Sequence, residues 1–327
     1  MTSVALPRSV AKLCNHSGLG IGMQLSYSVV DVFTDSCFGG NPLAVVWAPE
    51  GLASHLMQKI AHEFNLAETI FLLPPRHDEC HVRTRIFTPQ TELPFAGHPT
   101  VGASFILGRA GRAFGRAITS DVLLEQNIGA VHAELLTECD AVVGGIVSSP
   151  EPLAIGPDVD PELIARACNL RPDQIETSRH APCICTCGNA LVFVEVTSEE
   201  ALSQASPVIS EFQQHLPRER AIGVHLYTPS TKEGVDYAVR MFAPMVGITE
   251  DPATGASNLS LVGLLTALAP GNTLRTSYRL EQGVQMGRPS QLRGDATKLD
   301  GVLSEFRIGG HCVPVAEGTL NIPSSFQ

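Results

Sequence analysis

An α+β fold in two duplicated halves, each with many short strands around one buried helix, is what this sequence predicts, and three observations carry the prediction. The first is an internal repeat: residues 85–102, RIFTPQTELPFAGHPTVG, are echoed by residues 240–257, RMFAPMVGITEDPATGAS. Each copy ends a strand-like segment in Arg-x-Phe-x-Pro (Arg85, Phe87, Pro89; Arg240, Phe242, Pro244), then makes an acidic turn bearing Pro and Gly. Units repeated at long range point to duplicated halves. The second is that an apolar helical run follows each turn, at 100–107 and at 259–268; the latter is rich in small residues, as suits a helix enclosed by sheet. The third is that strand-like runs succeed one another without the alternation that marks βαβ units.

Taken in order, residues 27–33 have β-branched character, Gly39-Gly40-Asn41-Pro42 is a turn cluster, and 43–47 is an apolar run, reading strand, turn, strand. Residues 54–64 place Leu56, Met57, Ile60, Ala61 and Phe64 at helical spacing, with Ser54 as the expected cap. Asn65-Leu66-Ala67 breaks that helix and residues 70–73 read as the next strand, leaving Glu68 and Thr69 at a corner. A carboxylate there is either a solvated loop residue or an acid presented at the mouth of a sheet. Residues 81–87 form a strand ended by Pro89. Pro94 and Gly97 shape the following turn, and Pro99 suits the first turn of the helix. His98 lies at that helix start, where the macrodipole disfavours its protonation. Residues 121–125, 130–136 and 141–148 read as antiparallel strands, and the Pro-rich run 149–161 as a linker. Helices follow at 161–169 and 199–205, and strands at 190–196, 221–228 and 235–242. Beyond the second junction, strands at 278–282, 302–308 and 311–316 are separated by Gly-rich turns.

A chain of 327 residues with 44% apolar side chains exceeds what one core usually supports. Two domains are expected, at 24–148 and 149–327, with return of the last strand to the N-terminal domain left open. Residues 1–23 carry Arg8 and Lys12 without a continuous apolar core, the pattern of a disordered extension rather than a secretory signal. The net charge of −11 argues against nucleic acid or an anionic membrane as partner. No run of about 18 apolar residues is present. Nine scattered Cys fit a reducing cytoplasm. Cys183, Cys185 and Cys187 alternate, which on a strand puts three thiols on one face, unlike the hairpin spacing of a zinc site. Neither a G-x-G-x-x-G after a strand nor a G-x-x-x-x-G-K-[ST] loop occurs, so no metal, nucleotide or organic cofactor is expected.

The two junctions suggest where chemistry sits. Each gives a helix N-terminus with unpaired N–H groups, suited to an anion; the alternative is that both are only caps in a folding motif. Facing one another, Gly97-His98 and Gly255-Ala256 would jointly hold a substrate carboxylate. They would bring together Glu68, His98 and Asp251. Enclosure between domains raises a carboxyl pKa toward neutrality, as proton transfer to and from carbon requires.

Further motifs carry a resemblance. Asp31-Val32-Phe33 with the run from Gly40-Asn41-Pro42, Asn65-Leu66-Ala67-Glu68-Thr69, Phe87-Thr88-Pro89 with Glu92-Leu93-Pro94-Phe95-Ala96-Gly97-His98-Pro99-Thr100, Glu250-Asp251-Pro252-Ala253-Thr254-Gly255, and Gln282-Gly283 with Met286-Gly287-Arg288-Pro289-Ser290 resemble the phenazine-biosynthesis PhzF-like proteins from about residue 25 to near the C-terminus. The resemblance implies the diaminopimelate-epimerase-like fold: two pseudo-symmetric domains, each a barrel-like mixed sheet around a central helix, with the active site between them, in a homodimer. It implies a cofactor-independent isomerase acting on a small carboxylate-bearing molecule in secondary metabolism. Glu68 matches the family's acid-base glutamate, His98 and Asp251 its polar partners, and Gly97 and Gly255 the glycines whose backbone approaches substrate. The founding isomerase has Ser directly after the second glycine; here the order is Gly255-Ala256-Ser257, which puts its specific substrate in doubt and leaves Ala256 and Ser257 as expected substrate neighbours. The junctions hold no Cys, against a two-thiol racemase. A lyase, cyclase or rearrangement catalyst using the same cleft, and a binding protein without turnover, remain alternatives, since fold does not fix function.

Overall fold

In the computed structural model of the chain, residues 21–216 and 221–324 are described. The first half contributes β1 (Ile21–Val32), β2 (Asn41–Trp47), α1 (Ser54–Phe64), β3 (Glu68–Leu73), β4 (Val82–Phe87), β5 (Glu92–Leu93) and α2 (Gly97–Ala110). After these come β6 (Arg112–Ala113), β7 (Arg116–Ala117), β8 (Asp121–Gln126), β9 (Gly129–Glu138) and β10 (Ala141–Ser148). The second half begins with β11 (Ala154–Asp158), α3 (Pro161–Ala167), β12 (Ile175–Glu176), β13 (Cys183–Thr186), β14 (Leu191–Val196), α4 (Glu199–Gln204) and α5 (Ile209–His215). It ends with β15 (Val224–Pro229), β16 (Tyr237–Ala243), β17 (Ile248–Asp251), α6 (Gly255–Leu268), β18 (Leu274–Gln282), β19 (Ser290–Leu299) and β20 (Val302–Pro323).

Hydrogen bonding runs β1–β2–β3–β4–β8–β9–β10–β20 and back to β1, a closed barrel. The row β13–β14–β15–β16–β18–β19–β20 repeats its order and directions, with parallel steps at β14–β15 and β16–β18 where the first barrel has β2–β3 and β4–β8. A parallel step cannot be made by a tight hairpin, so each carries a helical crossover. One crossover per half lies outside its sheet (α1; α4 and α5). The other is the central helix, α2 or α6, buried along most of its length. Val101 and Phe105 of α2 and Leu259 and Val262 of α6 belong to one continuous core that spans both barrels, while the outer helices cover two smaller clusters.

The repeated Arg-x-Phe has a packing reason. Arg85 grips Glu92 with Nε and Nη2, Arg240 grips Glu250 the same way at 2.8 and 2.9 Å, and each guanidinium lies over the Phe two residues on. Each pair ties the short strand β5 or β17 back to β4 or β16 and so aims the chain into the central helix. Arg240 is the more deeply committed, since it also donates to the carbonyls of Leu202, Ser203 and Ala205. Arg240→Met should therefore destabilise the protein by roughly 3–5 kcal/mol, because Glu250 would stay half-buried without its partner. Arg85→Met should cost less than half as much, a difference that denaturant titration of both variants will show.

Several expectations need correction. β1 begins at Ile21, so residues 21–23 are strand rather than extension; the remainder of the expected extension lies outside the described residues. The helix cap expected at Ser54 is absent: the N-cap is Ala53, and the Ser54 hydroxyl instead accepts from Arg85. The run read as a linker contains β11, and α5 and β19 went unread. The two strands expected on either side of Gly309-Gly310 are one, β20. A Cβ on Gly309 would lie 2.5 Å from the Gly145 carbonyl oxygen, and one on Gly310 2.9 Å from that of Gln291. These glycines let β20 pass between β10 and β19 rather than turn. Among the described residues no helix is long and apolar enough to cross a membrane, and no group of three His, Cys, Asp or Glu is placed to hold a metal ion.

Candidate active site

The two central helices meet at their N-termini. A Cβ on Gly97 would lie 2.8 Å from the Ala256 nitrogen, and a Cβ on Gly255 2.8 Å from the His98 nitrogen, so the two backbones are in reciprocal contact that only glycine allows. Neither N-cap residue, Ala96 or Thr254, caps its helix with a side chain. The hydroxyl of Thr254, at the N-cap of α6, donates instead to Asp251 at 2.6 Å. Buried N–H groups of two helices thus point into one place without a local acceptor, an arrangement suited to an anion.

Around this contact the structure gathers Glu68, His98 and Asp251. Glu68 opens β3 beside Leu43 of β2, and one oxygen of its carboxyl lies 3.1 Å from His98 Nδ1. Of the two readings left open for Glu68, the solvated loop residue does not hold: its side chain is only 13% exposed. Burial first, and then the charge of Asp251, push its pKa up to about 8. Asp251 ends β17 in the second half; burial raises it to about 6, against hydrogen bonds from Thr254 and Asn41. His98 is held neutral, at about 3, by burial, with the Pro42 main chain acting in the opposite direction. The direction is the one expected at a helix start, with desolvation as its main cause. Its Nε2 has no hydrogen-bond partner of normal geometry among the described residues.

Three residues that the sequence showed only as motif members prove to fix Asp251. Asn41, from the first half, donates from Nδ2 to Asp251 Oδ1 at 2.9 Å and to the Ala253 carbonyl at 2.8 Å. Gln282 donates to the Asp251 carbonyl and to Thr254 Oγ1, and its own oxygen accepts from the Thr254 N–H and Asn258 Nδ2. The third is Thr254. Arg288 reaches across to Asp31 and to the carbonyls of Gly39 and Gly40, clasping the turn that carries Asn41. The motif residues that seemed scattered along the chain are thereby one cross-half clamp.

Of the residues expected near substrate, Gly97, Gly255 and Ala256 line the helix contact. Ser257 does not present its hydroxyl there: it is fully buried and donates to the Thr254 carbonyl at 3.2 Å. A cavity of about 580 Å³, lined by Lys232, Arg279 and Arg307 among others, lies apart and contains none of the candidate residues. Sequence had no means of weighing the two halves at matched positions. Phe87 lies opposite Thr69 and its repeat partner Phe242 opposite Val224, so the counterpart of Glu68 is Gly223, and by distance from the second glycine the counterpart of Asp251 is Leu93. The site is thus asymmetric although its scaffold is duplicated.

Comparison with known proteins identifies the family. A family model described as phenazine biosynthesis-like protein, PhzC-PhzF, matches residues 30–318. The chain is 36% identical to an uncharacterised isomerase of Mesorhizobium japonicum, over 91% of this chain and 99% of that protein. It is 32% identical to the trans-2,3-dihydro-3-hydroxyanthranilate isomerase of Pseudomonas chlororaphis, over 90% and 98%. Among solved structures, a PhzF-family phenazine biosynthesis protein of Bacillus anthracis superposes with a TM-score of 0.76 at 22% identity, covering 92% of this chain and all of that one. A hydroxyproline epimerase of Agrobacterium vitis superposes at 0.62 with 12% identity, covering 91% of each, and shares the fold alone. With a family model spanning most of its length and named isomerases above 30% identity along nine-tenths of it, the chain belongs to the phenazine biosynthesis-like, PhzF, family of isomerases.

Proposed function

We propose that this isomerase moves a proton within a small carboxylate-bearing substrate, using Glu68 as the group that takes the proton from carbon and returns it elsewhere. The observation that carries this reading is the enclosed contact of Glu68 with His98, beside Asp251 from the other half. A carboxyl held near neutrality exists in both protonation states at working pH, which is what acid-base catalysis at a single group needs. When protonated Glu68 gives its hydrogen bond to His98 Nδ1, the imidazole proton sits on Nε2. That partnerless N–H is then free to donate to a substrate oxygen where charge develops. The substrate carboxylate would rest on the N–H groups of α2 and α6, with Gly97, Gly255 and Ala256 allowing its close approach. Asp251, fixed by Asn41, Thr254 and Gln282, keeps Glu68 from ionising too readily. Because these groups are so enclosed, substrate enters when the halves part and is shut from water when they close. The chemistry uses side chains and backbone alone, without a cofactor.

The first compound to try is trans-2,3-dihydro-3-hydroxyanthranilate, which gives the Pseudomonas relatives their name. Ala256 supplies no hydroxyl beside it, so related cyclic carboxylates belong in the same panel. Run in deuterium oxide, the reaction should place solvent deuterium on carbon in the product, because Glu68 exchanges its proton between turnovers. A product with no solvent hydrogen after many turnovers would overturn the proton shuttle. Tight binding of these carboxylates with no conversion would instead favour a binding protein.

A further inference from the structure

The row of thiols along β13 and the residue just after it, Cys187, lies outside the proposed chemistry, and its geometry is not that of three inert core residues. Cys183, Cys185 and Cys187 are buried on one face of the strand, in the core that α6 fills. The sulfurs of Cys183 and Cys185 are 3.7 Å apart, in contact. His180 Nδ1 is 3.8 Å from Cys183 Sγ, and its Nε2 is 2.5 Å from the Tyr227 hydroxyl. That hydroxyl lies 3.4 Å from Glu195, which Arg179 pairs with at 3.4 Å. The imidazole is held at both nitrogens: Nε2 meets the Tyr227 hydroxyl, and Nδ1 lies 2.6 Å from the Ala181 carbonyl, to which it donates, so the Nδ1 proton also stands beside the Cys183 sulfur and favours its ionised form.

The two thiols are also unequal. Cys185 chiefly, and His180 behind it, hold the Cys183 thiol down at about 5 against the opposing effect of burial. The Cys185 thiol is pushed up by the same contact and by burial. Of the two sulfurs, Cys183 is the one favoured to ionise and Cys185 the one favoured to keep its proton. His180 is half-buried and Arg179 exposed beside the start of the strand, and Cys183, itself buried, is the thiol of the row nearest to them.

We propose that Cys183 and Cys185 are a peroxide-sensitive dithiol, in which Cys183 is the sulfur oxidised and Cys185 resolves it into an intrastrand disulfide. The Cys183 thiolate attacks one peroxide oxygen, the O–O bond breaks, and the departing hydroxide takes a proton to leave as water. The Cys185 sulfur then attacks the resulting sulfenic acid; the S–O bond breaks and the thiol proton leaves with the second water. Two thiols and hydrogen peroxide become one disulfide and two waters, the sulfurs losing the two electrons that the peroxide gains. Residues two apart on a strand are separated by about 6.4–6.8 Å, the upper end of the range that a disulfide spans, so the ring closes with local bending of β13. The next thiol in the row, Cys187, touches Ser260 Oγ at 3.0 Å and lies 3.8 Å from the Ala256 carbonyl, so this bending is transmitted to the start of α6.

The test uses the full chain, reduced, freed of reductant, treated with hydrogen peroxide, alkylated and digested with trypsin without further reduction. One peptide, residues 180–218, carries all three thiols. It should carry one alkyl group where the untreated protein's peptide carries three, and weigh about 2 Da less than the singly alkylated peptide with two free thiols, a loss that dithiothreitol reverses. Cys187→Ala should leave that loss intact, Cys183→Ala should abolish it, and Cys185→Ala should leave a sulfenic acid on Cys183 that dimedone traps. Oxidation confined to the exposed Cys37 and Cys139 of the unaltered protein would overturn the proposal. So would a 2 Da loss that survives Cys183→Ala or maps to Cys187.

Discussion

Glu68→Gln should lower turnover by at least about a hundredfold and, at pH 8, make the protein harder to unfold. The first effect follows because an amide cannot carry a proton back and forth, and groups of this kind contribute at least about two orders of magnitude. The second follows from the direction of the pKa shift. In the unfolded chain the carboxyl ionises near the usual 4.5, whereas in the fold it keeps its proton to about 8. Between those values the unfolded state binds fewer protons, so native stability falls as pH rises through the window. Gln removes that penalty, which is of order a few kcal/mol once both states have diverged. Denaturant titrations should thus show parent and variant close at pH 4.5 and separating in favour of the variant by pH 8. A variant that keeps more than about a tenth of the parent rate would remove Glu68 from the mechanism. Stability curves that stay parallel would mean that its carboxyl is not held protonated.

Gly255→Ala is expected to harm both folding and function, through one methyl group. Its Cβ would lie 2.8 Å from the His98 nitrogen and 3.0 Å from the Gly97 carbonyl carbon, all main-chain atoms of a helix fixed in the other barrel. Nothing there can rotate away, so α2 and α6 must separate. Overpacking of this kind costs about 1–3 kcal/mol, and a displacement of reacting groups by about 1 Å can cost a hundredfold in rate. Turnover per folded molecule should therefore fall much further than the loss of folded protein explains. Gly97→Ala should do the same, since its Cβ meets the Ala256 nitrogen at 2.8 Å. Once either methyl has parted the helices the second has less to disturb, so the double variant should be less destabilised than the two single costs added together. Additive costs would mean that the two glycines do not share one contact.

What could be read from sequence was mostly local in the chain. Arg85 and Glu92, or Arg240 and Glu250, lie within ten residues of each other, so their shared plan left a visible repeat, and the helix starts followed from it. The partners of Asp251 are remote: Asn41 is 210 positions away and Gln282 is 31. No period or spacing within one segment encodes such contacts, and only the resemblance drew attention to these residues. β19 was missed for another reason. Its inward positions are Ser290, Leu292, Gly294, Ala296 and Lys298, small or polar for the most part, so its two-residue period does not show as hydrophobicity. Gly294 is small because a Cβ there would lie 2.2 Å from a Val262 methyl group, and Lys298 turns in to donate to the carbonyls of Ala267 and Ala269 at the end of α6. A strand shaped to fit a central helix hides from a hydrophobicity pattern. The same holds for Gly309-Gly310, where backbone proximity looked like a turn.

The shared strand β20 sets an order on the birth of the molecule. β1 finds the partner that closes its barrel about 280 residues later, Val32 lying opposite Cys312. At about 5–20 residues per second, a ribosome needs on the order of 15 to 60 s to supply it. Throughout that interval the nascent first half has β1 and β10 as open edges, able to pair with whatever strand is nearby. β20 therefore closes the first barrel and adds the last strand of the second row in one step, and until it is made the first half has no closed barrel.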